Sequence, residues 1–116
     1  MSEPKRQFRD FKEYHLEKLR DPEEAQVYLE VALEEYEKDR DKEAFLLALR
    51  DVAEAQGGIG KLAKETHFDS QNLYKALASE GNPRLETVGA ILHELGFRLS
   101  VRPIEAKAKT SAYQEG

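Results

Sequence analysis

Three consecutive polar side chains, Ser70, Gln71 and Asn72, stand directly before Leu73, Ala76 and Leu77. A primary amide such as that of Gln71 or Asn72 donates and accepts side by side, which matches the edge that adenine presents in the DNA major groove. The chemistry these residue types support is recognition rather than bond-making. Their order supports it too, because a recognition helix reads base edges with its N-terminal residues while its rear face holds it to the domain. Asp69 precedes them as an N-cap, its carboxylate placed to accept a first-turn N–H. Tyr74 adds a hydroxyl donor, and Lys61, Lys64, Lys75 and Arg84 add cations suited to phosphates. Asn82, beside Pro83, caps a following helix and also offers an amide to phosphate. The plainer alternatives are a polar first turn on a solvent-facing helix, a packing tyrosine and scattered surface charge. Asp69 is structural under either reading.

These side chains need a scaffold, and the periodicities around them supply one. Ile59–Glu65 reads as a short helix, apolar at Ile59, Leu62 and Ala63, followed by a turn through Thr66, His67 and Phe68. With the helix that starts after Asp69 it forms a helix-turn-helix. Upstream, Asp21-Pro22 is a helix start, an N-cap followed by proline at the first helical position, with Glu23 and Glu24 at the positive end. That helix runs to about Lys38 on a stripe of Ala25, Tyr28, Leu29, Ala32, Leu33 and Tyr36. Asp41 caps a second helix striped by Phe45, Ala48, Leu49, Val52 and Ala53, which Gly57-Gly58 ends. Ser79–Pro83 is a turn cluster, and a fifth helix runs from about Arg84 to Leu95 on Leu85, Val88, Ile91, Leu92 and Leu95. The period then changes. Phe97, Leu99 and Val101 alternate with Arg98, Ser100 and Arg102, the pattern of a half-buried strand that Pro103 ends. A lone strand must pair with the N-terminal segment, with its copy in a dimer, or with another protein's sheet. Phe8, Phe11, Tyr14, Leu16 and Leu19 lie among charges at a spacing that fits neither a clean helix nor a clean strand.

Other chemistries find no footing. Gly57-Gly58-Ile59-Gly60-Lys61 has glycines for a phosphate loop, but no Ser/Thr follows Lys61 and no strand precedes the run. His15, His67 and His93 lack metal-ligand spacing, and cysteine is absent. No nucleophile–base–orienter set is present, so the expectation is a non-enzyme without metal or cofactor. The 116 residues suit one domain, and no apolar run approaches the ~20 residues that span a bilayer. The N-terminus lacks an apolar signal region, which points to the cytoplasm. The net charge is −5, which disfavours phosphate contact. Its distribution is uneven. Residues 1–20 carry six Lys/Arg against four Asp/Glu, residues 21–56 four against twelve, residues 57–104 six against five, and residues 105–116 two of each. Phosphates respond to cations within about a Debye length of ~8–10 Å, so the acid in 21–56 does not decide the matter. The run Glu34, Glu35, Glu37, Asp39 and Asp41 is either a solvated face or a dock for a basic partner.

Several of these elements in order resemble a known family. They are Asp-Pro-Glu-Glu-Ala at 21–25, Tyr28-Leu29, Ala48-Leu49 with Val52-Ala53, Gly57-Gly58, Leu62-Ala63, Leu73-Tyr74-Lys75-Ala76-Leu77, Gly81-Asn82-Pro83 and Leu95-Gly96-Phe97-Arg98-Leu99. The chain from about Phe11 to Arg102 is similar to the addiction-module antidote proteins, HigA-like antitoxins with an Xre/Cro-type helix-turn-helix. The resemblance implies a bacterial antitoxin that binds a small toxin of the RelE/ParE superfamily and represses its own operon. Repressor-type domains commonly open the first motif helix with Ser/Thr-Gln, which clamps a phosphate. Here Gly58 and Ile59 stand at those places, and no basic residue precedes Lys75 in the recognition helix.

The expectation is an all-α, five-helix, phage-repressor-like domain over residues 21–104 with a short C-terminal β-strand. A partly disordered segment, residues 1–20, precedes it and a flexible tail, 105–116, follows. Double-stranded operator DNA contacts Ser70, Gln71, Asn72, Tyr74, Lys75, Lys61, Lys64, Asn82 and Arg84. The toxin contacts Phe8, Phe11, Tyr14, Leu16 and Leu19, unless these cover the helical core instead. A homodimer forms through Phe97, Leu99 and Val101. The alternatives are a phage-type repressor without a toxin and an interaction module that has lost DNA binding.

Overall fold

The computed structural model describes residues 3–104, and their side chains from residue 11 onward. Six helices occur among them: α1 Glu3–Lys18, α2 Pro22–Asp39, α3 Glu43–Ala55, α4 Ile59–Thr66, α5 Ser70–Ala76 and α6 Leu85–Glu94. The expected tail at 105–116 lies outside the described residues.

The helix starts follow the capping chemistry. Asp21 accepts from the Glu23 amide at 3.0 Å with Pro22 opening α2; ahead of α3 Asp41 accepts from the Glu43 amide at 3.0 Å, but the cap position itself is Lys42, one residue later than expected. The α2 C-terminus turns at Arg40 in the left-handed conformation, where its amide donates to the Tyr36 carbonyl at 2.7 Å. After α3, Gly57 and Gly58 take φ of +123° and +98°, backbone that side-chain-bearing residues rarely adopt, and the chain reverses there.

Helix α3 is the hub, packed by α1, α2 and α4, while α4 also packs on α5 and α6. The largest fully buried side chains are Leu46, Leu49 and Val52 of α3, Leu73 and Leu77 from α5 and its C-cap, and Ile91 of α6. Each of these, once removed from water, contributes roughly 1.5–3 kcal/mol against the entropy of ordering the chain. The α5 rear face is thereby fixed to the same core as the rest of the domain.

The structure corrects the sequence reading at both ends. The described residues form six helices, not five, because Glu3–Lys18 is itself helical. Leu19, just past its end, is 3% exposed, and Leu16 packs against the core. No strand forms among the described residues. Residues 97–104 leave α6 through Gly96, φ +97°, and run on without a ladder partner. The physical reason is that no second strand among the described residues reaches this edge. Leu99 instead lies over Gly89, where a Cβ would stand 3.5 Å from its Cδ1, and Arg102 reaches Glu30 of α2 at 3.9 Å. Two residues placed on apolar stripes are exposed as well: Leu33 of α2 and Leu85, which opens α6.

Candidate nucleic-acid interface

Helices α4 and α5 are joined by His67, Phe68 and Asp69. His67 takes the left-handed conformation, φ 64°, and its amide donates to the Ala63 carbonyl, which stops α4. Phe68 then tucks against the core and its own amide returns to Ala63 O at 3.1 Å. Asp69 accepts from the Asn72 amide at 3.1 Å and starts α5. The angle between the two helices is therefore set by one left-handed residue, one anchored aromatic and one cap. Thr66 adds a bond from its hydroxyl to Leu62 O at 2.8 Å.

Ser70, Gln71, Asn72, Tyr74 and Lys75 are all exposed, while Leu73 and Leu77 are 1% and 0% exposed. At 3.6 residues per turn, Gln71 and Lys75 share the face opposite that buried pair. Asn72 and Tyr74 fall to either side of it. Asn72 lines a cleft of about 250 Å³ with Arg84, Glu86 and Asp69, toward the start of α6. Tyr74 lines another of about 340 Å³ with Arg50 and Glu54 of α3 and Gly58 ahead of α4. All five side chains are thus exposed at the open sides and first turn of a helix whose Leu73–Leu77 face is locked into the core.

The remaining predicted contacts divide. Lys64 is exposed in the last turn of α4. Lys61 folds back so that Nζ donates to the Gln56 carbonyl at 3.4 Å, beside Gly57. Arg84 is solvent-facing and pairs with Glu86 at 3.7 Å. Asn82 does not cap a helix at Pro83, because α6 opens only at Leu85 with Arg84 at the cap position. Its Oδ1 accepts from Lys42 Nζ at 3.1 Å and ties this turn to the start of α3. Gly81 beside it is required by close approach, since a Cβ there would collide with the Ala76 carbonyl.

The aromatic N-terminal set also divides. Phe11 and Tyr14 on α1 are 72% and 59% exposed, whereas Leu19 is core and Leu16 packs on it. The side chain of Phe8 lies outside the described residues. Of the residues expected at a dimer contact, Phe97 packs on the core, and Leu99 and Val101 are 48% and 96% exposed.

One cluster escaped the sequence reading. The Tyr28 hydroxyl donates to Asp51 Oδ2 at 2.7 Å, and His15 Nε2 sits 3.4 Å from the same oxygen. The His15 and Tyr28 rings meet edge to face at 5.0 Å between centroids. Burial, and then the bond to Asp51 and its charge, push the Tyr28 hydroxyl well above its usual pKa. The available signal was that His15 continues the 3-and-4 spacing of Phe8, Phe11 and Leu19.

A model of the "probable addiction module antidote protein" family matches residues 10–103. An uncharacterized protein of Haemophilus influenzae is 34% identical over 86 residues, which span 74% of this chain and 84% of that protein. No solved structure matches the chain. Among the described residues, no helix is long and apolar enough to cross a membrane.

Proposed function

The chain belongs to the family of probable addiction module antidote proteins, and on that premise we propose that it is a DNA-binding antitoxin. In this reading it acts in the cytoplasm by stoichiometric binding, without catalysis. It neutralises a RelE/ParE-like toxin and represses its own operon through an Xre/Cro-type helix-turn-helix. The observation that carries the DNA half is α5: exposed Ser70, Gln71, Asn72, Tyr74 and Lys75 on a helix whose Leu73–Leu77 face is locked into the core. Gln71 and Asn72 read adenine edges, and Lys75, Lys64 and Arg84 contact phosphates.

The antitoxin half rests on the family and on α1. Phe11 and Tyr14 are solvent-exposed aromatics on a helix anchored by Leu16 and Leu19. Exposed aromatics on a fixed helix are the side chains that anchor interfaces. The acidic surface of α2 adds long-range attraction for a basic toxin. The free edge of residues 97–101 pairs with a second copy about a two-fold axis, which brings two α5 helices to successive turns of a palindromic operator.

Footprinting of the chain's own promoter is the test. Wild type protects a palindromic site, and Gln71→Ala with Asn72→Ala loses that protection. A footprint unchanged in the double variant removes α5 from DNA reading. No footprint at all favours an interaction module, a reading the net charge of −5 also supports.

A further inference from the structure

We infer that Arg50, with Tyr74 and the first turn of α4, forms a site for a backbone phosphate of the bound DNA. The inference rests on the DNA-binding reading of α5 and gives it a contact made by a different helix. Arg50 belongs to α3, outside the two short helices, yet it lines the cleft of about 340 Å³ beside Tyr74. Its Nε is buried without a hydrogen-bond partner, and it joins none of the ion pairs among the described residues. A half-buried cation without a counter-charge loses hydration and gains nothing in return, unless a ligand supplies the charge. Glu54 lines the same cleft, but its ion pair, at 3.7 Å, is with Lys12 and not with Arg50.

The rest of the cleft suits a tetrahedral anion. Gly58 and Ile59 form its α4 side. The first N–H groups of a helix have no intrahelical acceptor, and Gly58 makes no side-chain cap to cover them. A Cβ added at Gly58 or at Gly60 would meet nothing within 4 Å, so the backbone here is open to close approach. The guanidinium supplies charge and N–H donors, and the Tyr74 hydroxyl stands at the border with the exposed side of α5. Arg84 in the cleft on the opposite flank of α5 makes the arrangement two-sided. A helix in a major groove is bordered by a phosphate strand on each side, and one arginine lines the cleft on each flank of α5.

The test is an anisotropy titration of a labelled promoter duplex, and of a scrambled duplex, across a salt series. Arg50→Gln is expected to weaken binding about tenfold on both duplexes and to flatten the log–log salt slope by about one unit. Sequence preference stays at the wild-type ratio. Tyr74→Phe weakens binding severalfold and leaves the slope unchanged, because no charge is removed. If Arg50→Gln does not fold, Arg50→Lys replaces it and is expected to keep the wild-type slope with reduced affinity, the fork of donors being lost. Wild-type affinity and slope in Arg50→Gln, or wild-type affinity in both Arg50→Lys and Tyr74→Phe, overturns the phosphate site and leaves the α5 reading standing. Wild type that binds neither duplex overturns the DNA reading and the phosphate site together.

Discussion

The Tyr28 hydroxyl donates to Asp51 at 2.7 Å, joining α2 to α3 at the point where His15 of α1 reaches the same carboxylate at 3.4 Å. One carboxylate therefore gathers three helices, and the attachment of α1 depends on it together with Leu16 and Leu19.

That bond has a pH signature. Burial first, then Asp51, raise the Tyr28 pKa in the folded state. The folded protein holds its proton where the unfolded chain, near pKa ~10, gives it up. Tyr28 thus contributes stability that is complete below about pH 10 and declines as pH rises from there toward the folded pKa. Thermal melts from neutral to strongly alkaline pH are expected to show this decline, and Tyr28→Phe is expected to flatten it. Because Tyr28→Phe also removes a donor to a charged acceptor, it lowers stability at neutral pH by about 1–2 kcal/mol. A wild-type alkaline profile in Tyr28→Phe contradicts the assignment.

The α1 residues are expected to separate by function. Leu19→Ala opens a cavity in the core and destabilises by about 2–5 kcal/mol. Phe11→Ala with Tyr14→Ala leaves the melt near wild type, because both side chains stand in solvent. The same double variant fails to protect cells that co-express the toxin. A stable double variant that still restores growth takes these aromatics out of toxin binding.

Gly81 is expected to tolerate no side chain. A Cβ would run into the Ala76 carbonyl, so the chain must shift where α5 ends. Gly81→Ala is expected to cost about 1–3 kcal/mol in chemical denaturation. Asn82→Ala, which loses only an exposed bond to Lys42, is expected to cost under about 1 kcal/mol. Equal losses for the two changes contradict this account of the turn.

Light scattering tests the dimer. Wild type is expected at twice the monomer mass at micromolar concentration. Leu99→Pro removes a backbone donor from the extended segment and is expected to run as a folded monomer. A folded, monomeric wild type removes this edge from the proposal.

The helices from α2 to α6 were legible because each carries its own local punctuation: Asp21-Pro22, Asp41, Gly57-Gly58, Asp69 and Gly96. Their stripes follow one core, with Leu33 and Leu85 as exceptions that spacing alone does not reveal. Helix α1 was not legible, since its side toward α3 carries the polar Lys12 and His15, whose partners Glu54 and Asp51 lie some forty residues away. The alternation at Phe97–Val101 marks an extended segment, but pairing needs a second strand that no local pattern can supply. Within the candidate interface, the exposed opening of α5 could be read directly. Arg50 could not, because only the packing of α3 against α4 brings it beside Tyr74.

The most direct measurement is the affinity of wild type for its own promoter duplex relative to a scrambled duplex of equal length at one fixed salt concentration. A recognition helix that reads bases gives a ratio of about 10³ or more. Equal affinity for the two duplexes contradicts base reading by α5 and, with it, the account of this chain as an operator-binding antitoxin.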